Sequence, residues 1–225
     1  MRRVLIVGHG RMGRLVESLA GNYDMTVAGV VDRKSSGDHA SWPEADVAID
    51  FSVADAVAAN LPRLAARGMD LVIGTTGWQA HRDDLKKEAD KHPIGVVAAS
   101  NFALGVNLFI ALAERAGQLF AASEDFGAWI HELHHAAKKD APSGTALTLE
   151  AAMREAGFSR PIDMSSTRAG SIPGTHTIGF DAAAETITLT HTARDRTIFA
   201  RGALEAARWV EGKRGWFSMR DVLGL

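Results

Sequence analysis

The sequence predicts an α/β protein in two parts, a doubly wound parallel sheet and an α+β domain with a mixed or antiparallel sheet. Three observations predict it. Over the first hundred or so residues, short β-branched runs alternate with stretches that carry apolar residues at helical spacing, the pattern of βαβ units. The first run passes directly into Gly8-His9-Gly10-Arg11-Met12-Gly13 and then into a helical stretch, the strand, turn and helix of a Rossmann-like nucleotide site. After Asn101 the pattern changes to a long helical stretch followed by separated strand-like segments.

Taken in order, the expected strands of the first part are Val4–Val7, Thr26–Val31, Val47–Phe51, Leu71–Ile73 and Gly95–Ala99. The helices between them are Arg11–Leu19, Ala54–Arg67 and Ala80–Lys91. Beyond Asn101 a helix is expected from about Leu104 to Phe120, a strand at Trp129–Leu133 and a helix opening near Ser143. Strands at His176–Phe180 and Thr186–Thr190 flank a turn at Asp181–Glu185, and a last helix lies around Ile198–Val210. Phe158–Gly174 holds two of the six prolines with several Ser, Thr and Gly residues and reads as a mobile loop. The domains are read as 1–103 and 104–196, with about 197–225 returning to the first.

Composition narrows the function. At 225 residues the chain has length for one large domain or two modest ones. Lys and Arg number 25 against 27 Asp and Glu, so no general attraction to nucleic acid or anionic lipid is expected. With no cysteine, a disulfide scaffold, a thiol nucleophile and a thiolate metal site are excluded. No apolar run reaches the roughly 18 residues that span a bilayer, and Arg2-Arg3 lead straight into Val4–Val7 without a secretory h-region. The expectation is a cytoplasmic, soluble protein with neither nucleic acid nor membrane as partner.

The glycine motif has a physical reading. Gly8 permits the tight turn, Gly10 lets backbone approach a pyrophosphate, Gly13 allows close helix–strand packing, and the helix N-terminus faces phosphate charge. The second strand ends at Val31 and leads to Asp32, roughly 20 residues beyond the third glycine, where an acid holds the ribose 2′-hydroxyl. Arg33 and Lys34 follow and suit a 2′-phosphate. Gly74-Thr75-Thr76-Gly77 and Ala99-Ser100-Asn101-Phe102 close the fourth and fifth strands, at the edge where ligands bind in such folds, and suit the nicotinamide end. The cofactor expected is NADH, NADPH or both.

The densest chemistry runs from Glu132 to Leu147. His134 and His135 are adjacent on a strand and point to opposite faces, so they do not serve as twin ligands of one metal, and none is expected. Ser143 can cap a helix beginning at Gly144, which leaves the N–H groups of Gly144 and Thr145 for a carboxylate, with Lys138 and the imidazoles just upstream. That is a pocket for a small anion beside a proton donor.

The string Glu132-Leu133-His134-His135-Ala136-Ala137-Lys138-Lys139-Asp140-Ala141-Pro142-Ser143-Gly144-Thr145-Ala146 resembles the signature of the 4-hydroxy-tetrahydrodipicolinate reductases of bacterial and plant lysine biosynthesis. The resemblance extends to Gly8–Gly13, Asp50–Ser52, Gly74–Gly77, Asn101-Phe102, Gly105–Asn107, Arg168–Gly170, Gly174–Ile178, His191–Arg196 and Phe199–Ala203. It implies NAD(P)H-dependent reduction of a cyclic dicarboxylate, with His134 as general acid/base and Lys138 as proton donor. It further implies that His135, Gly144 and Thr145 hold carboxylates, and that Gly8, His9, Gly10, Arg11, Met12, Gly13, Asp32, Arg33, Gly74 to Thr76 and Ala99 to Phe102 contact the dinucleotide. The second domain is then the substrate-binding and oligomerisation domain of a homotetramer, built on the strands around His176–Phe180 and Thr186–Thr190. Ile178 with Phe180, and Ile187 with Leu189, are the apolar faces that suggest it. One departure is the connection Arg33–Ala45, shorter than the family's usual excursion. The alternatives are another two-domain amino-acid dehydrogenase, aspartate-dehydrogenase-like, and a dinucleotide-sensing binding protein.

Overall fold

The computed structural model describes residues 1–35 and 37–225. The chain forms two compact units, one of Met1–Leu104 with Thr197–Leu225 and one of Gly105–Arg196. The first begins with β1 (Arg2–Val7), α1 (Arg11–Leu19), β2 (Met25–Val31), β3 (Val47–Asp50), α2 (Ala54–Ala66), β4 (Asp70–Ile73), α3 (Arg82–Ala89) and β5 (Gly95–Ala98). The strands pair in parallel. Their central residues, Val4–Val7, Val47–Ile49 and Leu71–Ile73, are apolar on both faces because both faces are covered. Val4, Ile6, Val47 and Ile49 join Val16 of α1 in one core, whereas Leu5, Val7, Leu71 and Ile73 join Leu61 of α2 and Leu85 of α3 in another.

The second unit is α4 (Leu104–Ala121, its first residue in the other unit), β6 (Gly127–His134), α5 (Gly144–Glu155), β7 (Ile162–Arg168), β8 (Thr175–Ala182) and β9 (Glu185–Thr192). β6 runs parallel to β7 and antiparallel to β8, which pairs antiparallel with β9, so the sheet is mixed. Phe109 and Ala113 of α4 and Leu149 and Met153 of α5 pack on Ala128, Ile130, Ile178 and Phe180.

Three expectations change here. Phe158–Gly174 is not one loop, because Ile162–Arg168 is the edge strand β7, bracketed and not broken by Pro161 and Pro173. Its polar residues masked it: an edge strand needs few apolar side chains, and here Ile162 and Met164 supply them. The turn between β8 and β9 is only Ala183-Ala184, since Ala182 still pairs with Glu185. Ile178 and Phe180, one of the apolar faces that suggested assembly, are fully covered inside their own unit, and Leu189 packs on the same core. The sheet's other face carries Trp129, Thr177, Thr188 and Thr190.

The chain then adds α6 (Thr197–Trp209), β10 (Gly215–Phe217) and α7 (Met219–Leu223) to the first unit. β10 pairs with β5, giving the order β10-β5-β4-β3-β1-β2. Neither β10 nor α7 was expected, because three and five residues are too short to carry a period. Strand order reverses between β1 and β3, and beyond the carboxyl ends of such strands a ligand crevice opens. Among the described residues no helix is long and apolar enough to cross a membrane.

Candidate active site

The glycine loop of the first unit is tight at both ends and open in the middle. Gly8 has φ of +92°, and a Cβ there would lie 2.5 Å from the Phe51 carbonyl oxygen. At Gly13 a Cβ would lie 2.0 Å from the Gly8 oxygen, whereas at Gly10 it would meet nothing within 4 Å. Gly10 is the N-cap of α1 and no side chain caps it, so the helix's first N–H groups remain for a phosphate. His9 Nε2 lies 2.7 Å from Glu17 Oε2, Arg11 is exposed and Met12 packs on the core. These features fit a dinucleotide's pyrophosphate.

Asp32 lies just past β2, where its Oδ1 accepts from the Ser35 N–H at 3.0 Å and the Lys34 N–H at 2.8 Å. Those bonds, Ser35 first, hold its carboxyl below the usual range. One carboxylate oxygen is thus committed to the turn and the group stays charged. Arg33 beside it is exposed. Past β4, Thr76 is exposed and Gly74 is wedged against the Phe51 ring, where a Cβ would lie 2.1 Å away. Thr75 is buried, its hydroxyl donating to Asp50 Oδ1 at 2.8 Å and its carbonyl accepting from Trp78 at 2.7 Å. Burial pushes the Asp50 carboxyl up, against the hydrogen bonds from Ser52 and Thr75. Past β5, Ala99 and Asn101 are half-buried and Ser100 is exposed. Phe102 is 2% exposed and stacks edge-on to Phe51 at 6.3 Å, so its side chain belongs to the core. The structure therefore brings Gly8–Gly13, Asp32, Gly74, Thr76 and Ala99–Asn101 to one sheet edge. It turns the Thr75 hydroxyl and the Phe102 ring inward.

In the second unit, β6 ends at His134, and His135 follows it half-buried. Ser143 caps α5, its Oγ accepting from the Ala146 N–H at 3.2 Å, so Gly144 and Thr145 open the helix as expected. Lys138 Nζ donates to both oxygens of Asp140 at 2.7 Å. Burial pushes the His134 imidazole below its ordinary pKa, although the Glu132 carboxylate opposes this; Lys138 and Arg168 push the same way as burial.

Three residues to which the sequence reading assigned no role complete this cluster. Glu132 is fully buried, and Arg168 forks onto it with Nη2 at 2.6 Å from Oε1 and Nη1 at 2.9 Å from Oε2. Burial alone would raise the Glu132 carboxyl, but hydrogen bonds from Arg168, Ser166 and His134 hold it at about 2. His176 of β8 lies 2.9 Å from the Ser143 hydroxyl and crosses the His134 ring edge-on at 5.0 Å. Burial, then His134, lower it to about 4. One signal was available: Glu132 and His134, two apart on a strand, share a face. Arg168 lay hidden in the segment read as a loop. Ligand atoms of Glu132, His134 and His176 lie within 4.8 Å of one another. Both Glu132 oxygens already accept from a guanidinium, and that positive charge opposes a metal cation at the same place.

Comparison with known proteins covers both units. The family model described as "Dihydrodipicolinate reductase, N-terminus" matches residues 2–102, and the one described as "Dihydrodipicolinate reductase, C-terminus" matches residues 105–223. The chain is 44% identical over 241 residues to the 4-hydroxy-tetrahydrodipicolinate reductase of Acidiphilium cryptum, covering 96% of this chain and 94% of that one. It is 34% identical to the enzyme of the same name from Christiangramia forsetii, covering 98% and 97%. The solved structure of dipicolinate-bound dihydrodipicolinate reductase from Paenisporosarcina sp. TG-14 shares the fold, with a TM-score of 0.83, 24% identity and 97% coverage of both chains.

Proposed function

The chain belongs to the dihydrodipicolinate reductase family, and from that membership we propose that it reduces 4-hydroxy-tetrahydrodipicolinate to tetrahydrodipicolinate in diaminopimelate and lysine biosynthesis. Water is lost, and a hydride and a proton are added. The enzyme is a nicotinamide-dependent oxidoreductase. When bound, the dinucleotide supplies the hydride. The first unit is its domain: Gly8–Gly13 and the start of α1 take the pyrophosphate, Asp32 and Arg33 the adenosine ribose, and Gly74–Thr76 with Ala99–Phe102 the nicotinamide end. At the last two, Thr75 and Phe102 act through backbone and packing, since their side chains face inward.

The second unit binds substrate and carries the assembly surface of a homotetramer, on the sheet face of Trp129 and Thr188. His135 and the N–H groups of Gly144 and Thr145 receive its carboxylates. Hydride addition leaves electron density on the acceptor, and Lys138 Nζ and His134 Nε2 are the groups that deliver or hold the neutralising proton. Asp140 holds the Lys138 Nζ in place through both carboxylate oxygens. A protein of this kind works in the cytoplasm on a small dicarboxylate.

The observation that carries this reading is that the Glu132 carboxylate accepts from both the His134 ring and the Ser143 N–H, so one group joins the proton-transfer residue to the anion-binding helix. A sensor has no use for that union. Lys138→Ala tests it: kcat is expected to fall roughly 10²–10⁴-fold with dinucleotide affinity unchanged, while His135→Ala raises substrate KM. A wild-type kcat for Lys138→Ala would remove that residue from the chemistry.

A further inference from the structure

We infer that Glu132 is a positioning residue whose carboxylate, clamped by Arg168, holds the His134 ring and the start of α5 in one fixed arrangement. The inference rests on the proposed acid/base role of His134, and adds a residue too deeply buried to touch substrate or dinucleotide.

Bonds from Arg168, His134 and the Ser143 N–H converge on this side chain. Glu132 Oε1 accepts from Arg168 Nη2 at 2.6 Å and from the Ser143 N–H at 3.3 Å. Oε2 accepts from Arg168 Nη1 at 2.9 Å and from His134 Nδ1. A carboxylate can only accept, so the His134 proton sits on Nδ1 and the neutral ring presents a lone pair at Nε2. The chain leaves room there: at Gly174, with φ of +146°, a Cβ would lie 3.1 Å from Nε2. The Ser143 hydroxyl, 2.9 Å from His176 Nε2, extends the same network to the cap of α5. Arg168 also donates to the Asp140 carbonyl at 2.6 Å, which fixes the far end of the segment carrying Lys138.

The charged and titratable groups around His134 come from every neighbouring element. They are Glu132 of β6, Arg168 of β7, His176 of β8 with His191 of β9 beyond it, and Lys138 with Asp140 from the connecting segment. Glu132 is the negative charge bonded to the ring. Its removal leaves Lys138 and Arg168 opposing protonation, so the pKa of His134 must drop.

Glu132→Gln keeps the shape and removes the charge. The expected result is a kcat lowered on the order of 10²-fold, with the limb of the pH–kcat profile due to His134 moved to lower pH by about one unit or more. Glu132→Asp, which restores the charge, is expected to return that limb towards its wild-type position. A folded Glu132→Gln enzyme with the wild-type profile and kcat would overturn the inference. Since Arg168 loses its partner in that variant and the fold could fail, the wild-type chain supplies a second reading. In ¹⁵N-histidine spectra, with His134 assigned by its loss in His134→Asn, the neutral ring is expected as the Nδ1–H tautomer, and an Nε2–H ring would overturn the inference. That spectrum is independent of turnover, so it separates failure of the positioning role from failure of the proposed reaction.

Discussion

His176 shows how a single buried residue makes the stability of the second unit depend on pH. Burial first, and the neighbouring His134 second, depress its folded pKa to about 4 from an ordinary 6.5. The unfolded chain therefore binds a proton between those values that the folded chain refuses, so this contribution is complete above pH 6.5 and is lost as pH falls towards 4. Unfolding free energy should decline across that window with a slope approaching about 1.4 kcal/mol per pH unit for this one proton. Urea denaturation at a series of pH values checks it: His176→Gln should flatten the slope between pH 6.5 and 4, and an unchanged slope would contradict the assignment. Glu132 acts in a lower window, its contribution present above 4.5 and lost as pH falls through about 2. At this scale, what the sequence shows is residue type and spacing. His134, Lys138 and the Ser143 cap were legible because each is local to one short string. His176 and Arg168 come to the same site from β8 and β7, and only strand pairing shows that.

Among the elements, α6 depends most visibly on a missing side chain. Gly202, at the middle of the helix, lies so close to the Phe102 carbonyl that an added Cβ would be 1.6 Å from the oxygen. The contact is backbone, which cannot swing aside, so Gly202→Ala must push α6, with its buried Ala203, Leu204 and Ala206, away from the strand residues Val4, Ile6, Val47 and Ile49 in the same core. A loss of about 1–3 kcal/mol or more follows by the usual cost of overpacking, in spite of the better helix propensity of alanine. Thermal unfolding measures it, and a variant as stable as wild type would show that the helix does not seat so closely. The parallel strands and their helices were legible because both strand faces are apolar and the helices carry one-sided patterns. The second sheet was less so. β7 reads as loop because it is an edge strand with few apolar side chains, and the face of Ile178 and Phe180 suggested assembly because helices α4 and α5, which cover it, lie far from it in sequence.

For the whole molecule, net charge is close to balance and cofactor preference becomes a local contest. Asp32 is held ionised and repels a 2′-phosphate, while Arg33 and Lys34, exposed beside it, attract one. Exposed contacts of this kind are worth about 1 kcal/mol or less each. The KM values for NADH and NADPH should therefore lie within roughly tenfold, about 1.4 kcal/mol. Salt screens the two cations more than the short hydrogen bonds to Asp32, so preference should move towards NADH as ionic strength rises. A shift towards NADPH would contradict this arrangement. The reaction itself is tested by following absorbance of the reduced dinucleotide when purified protein meets the condensation product of aspartate semialdehyde and pyruvate. Oxaloacetate with ammonia serves as the control. Oxidation is expected with the condensation product and not with the control, and oxidation with the control alone would exclude the proposed reaction.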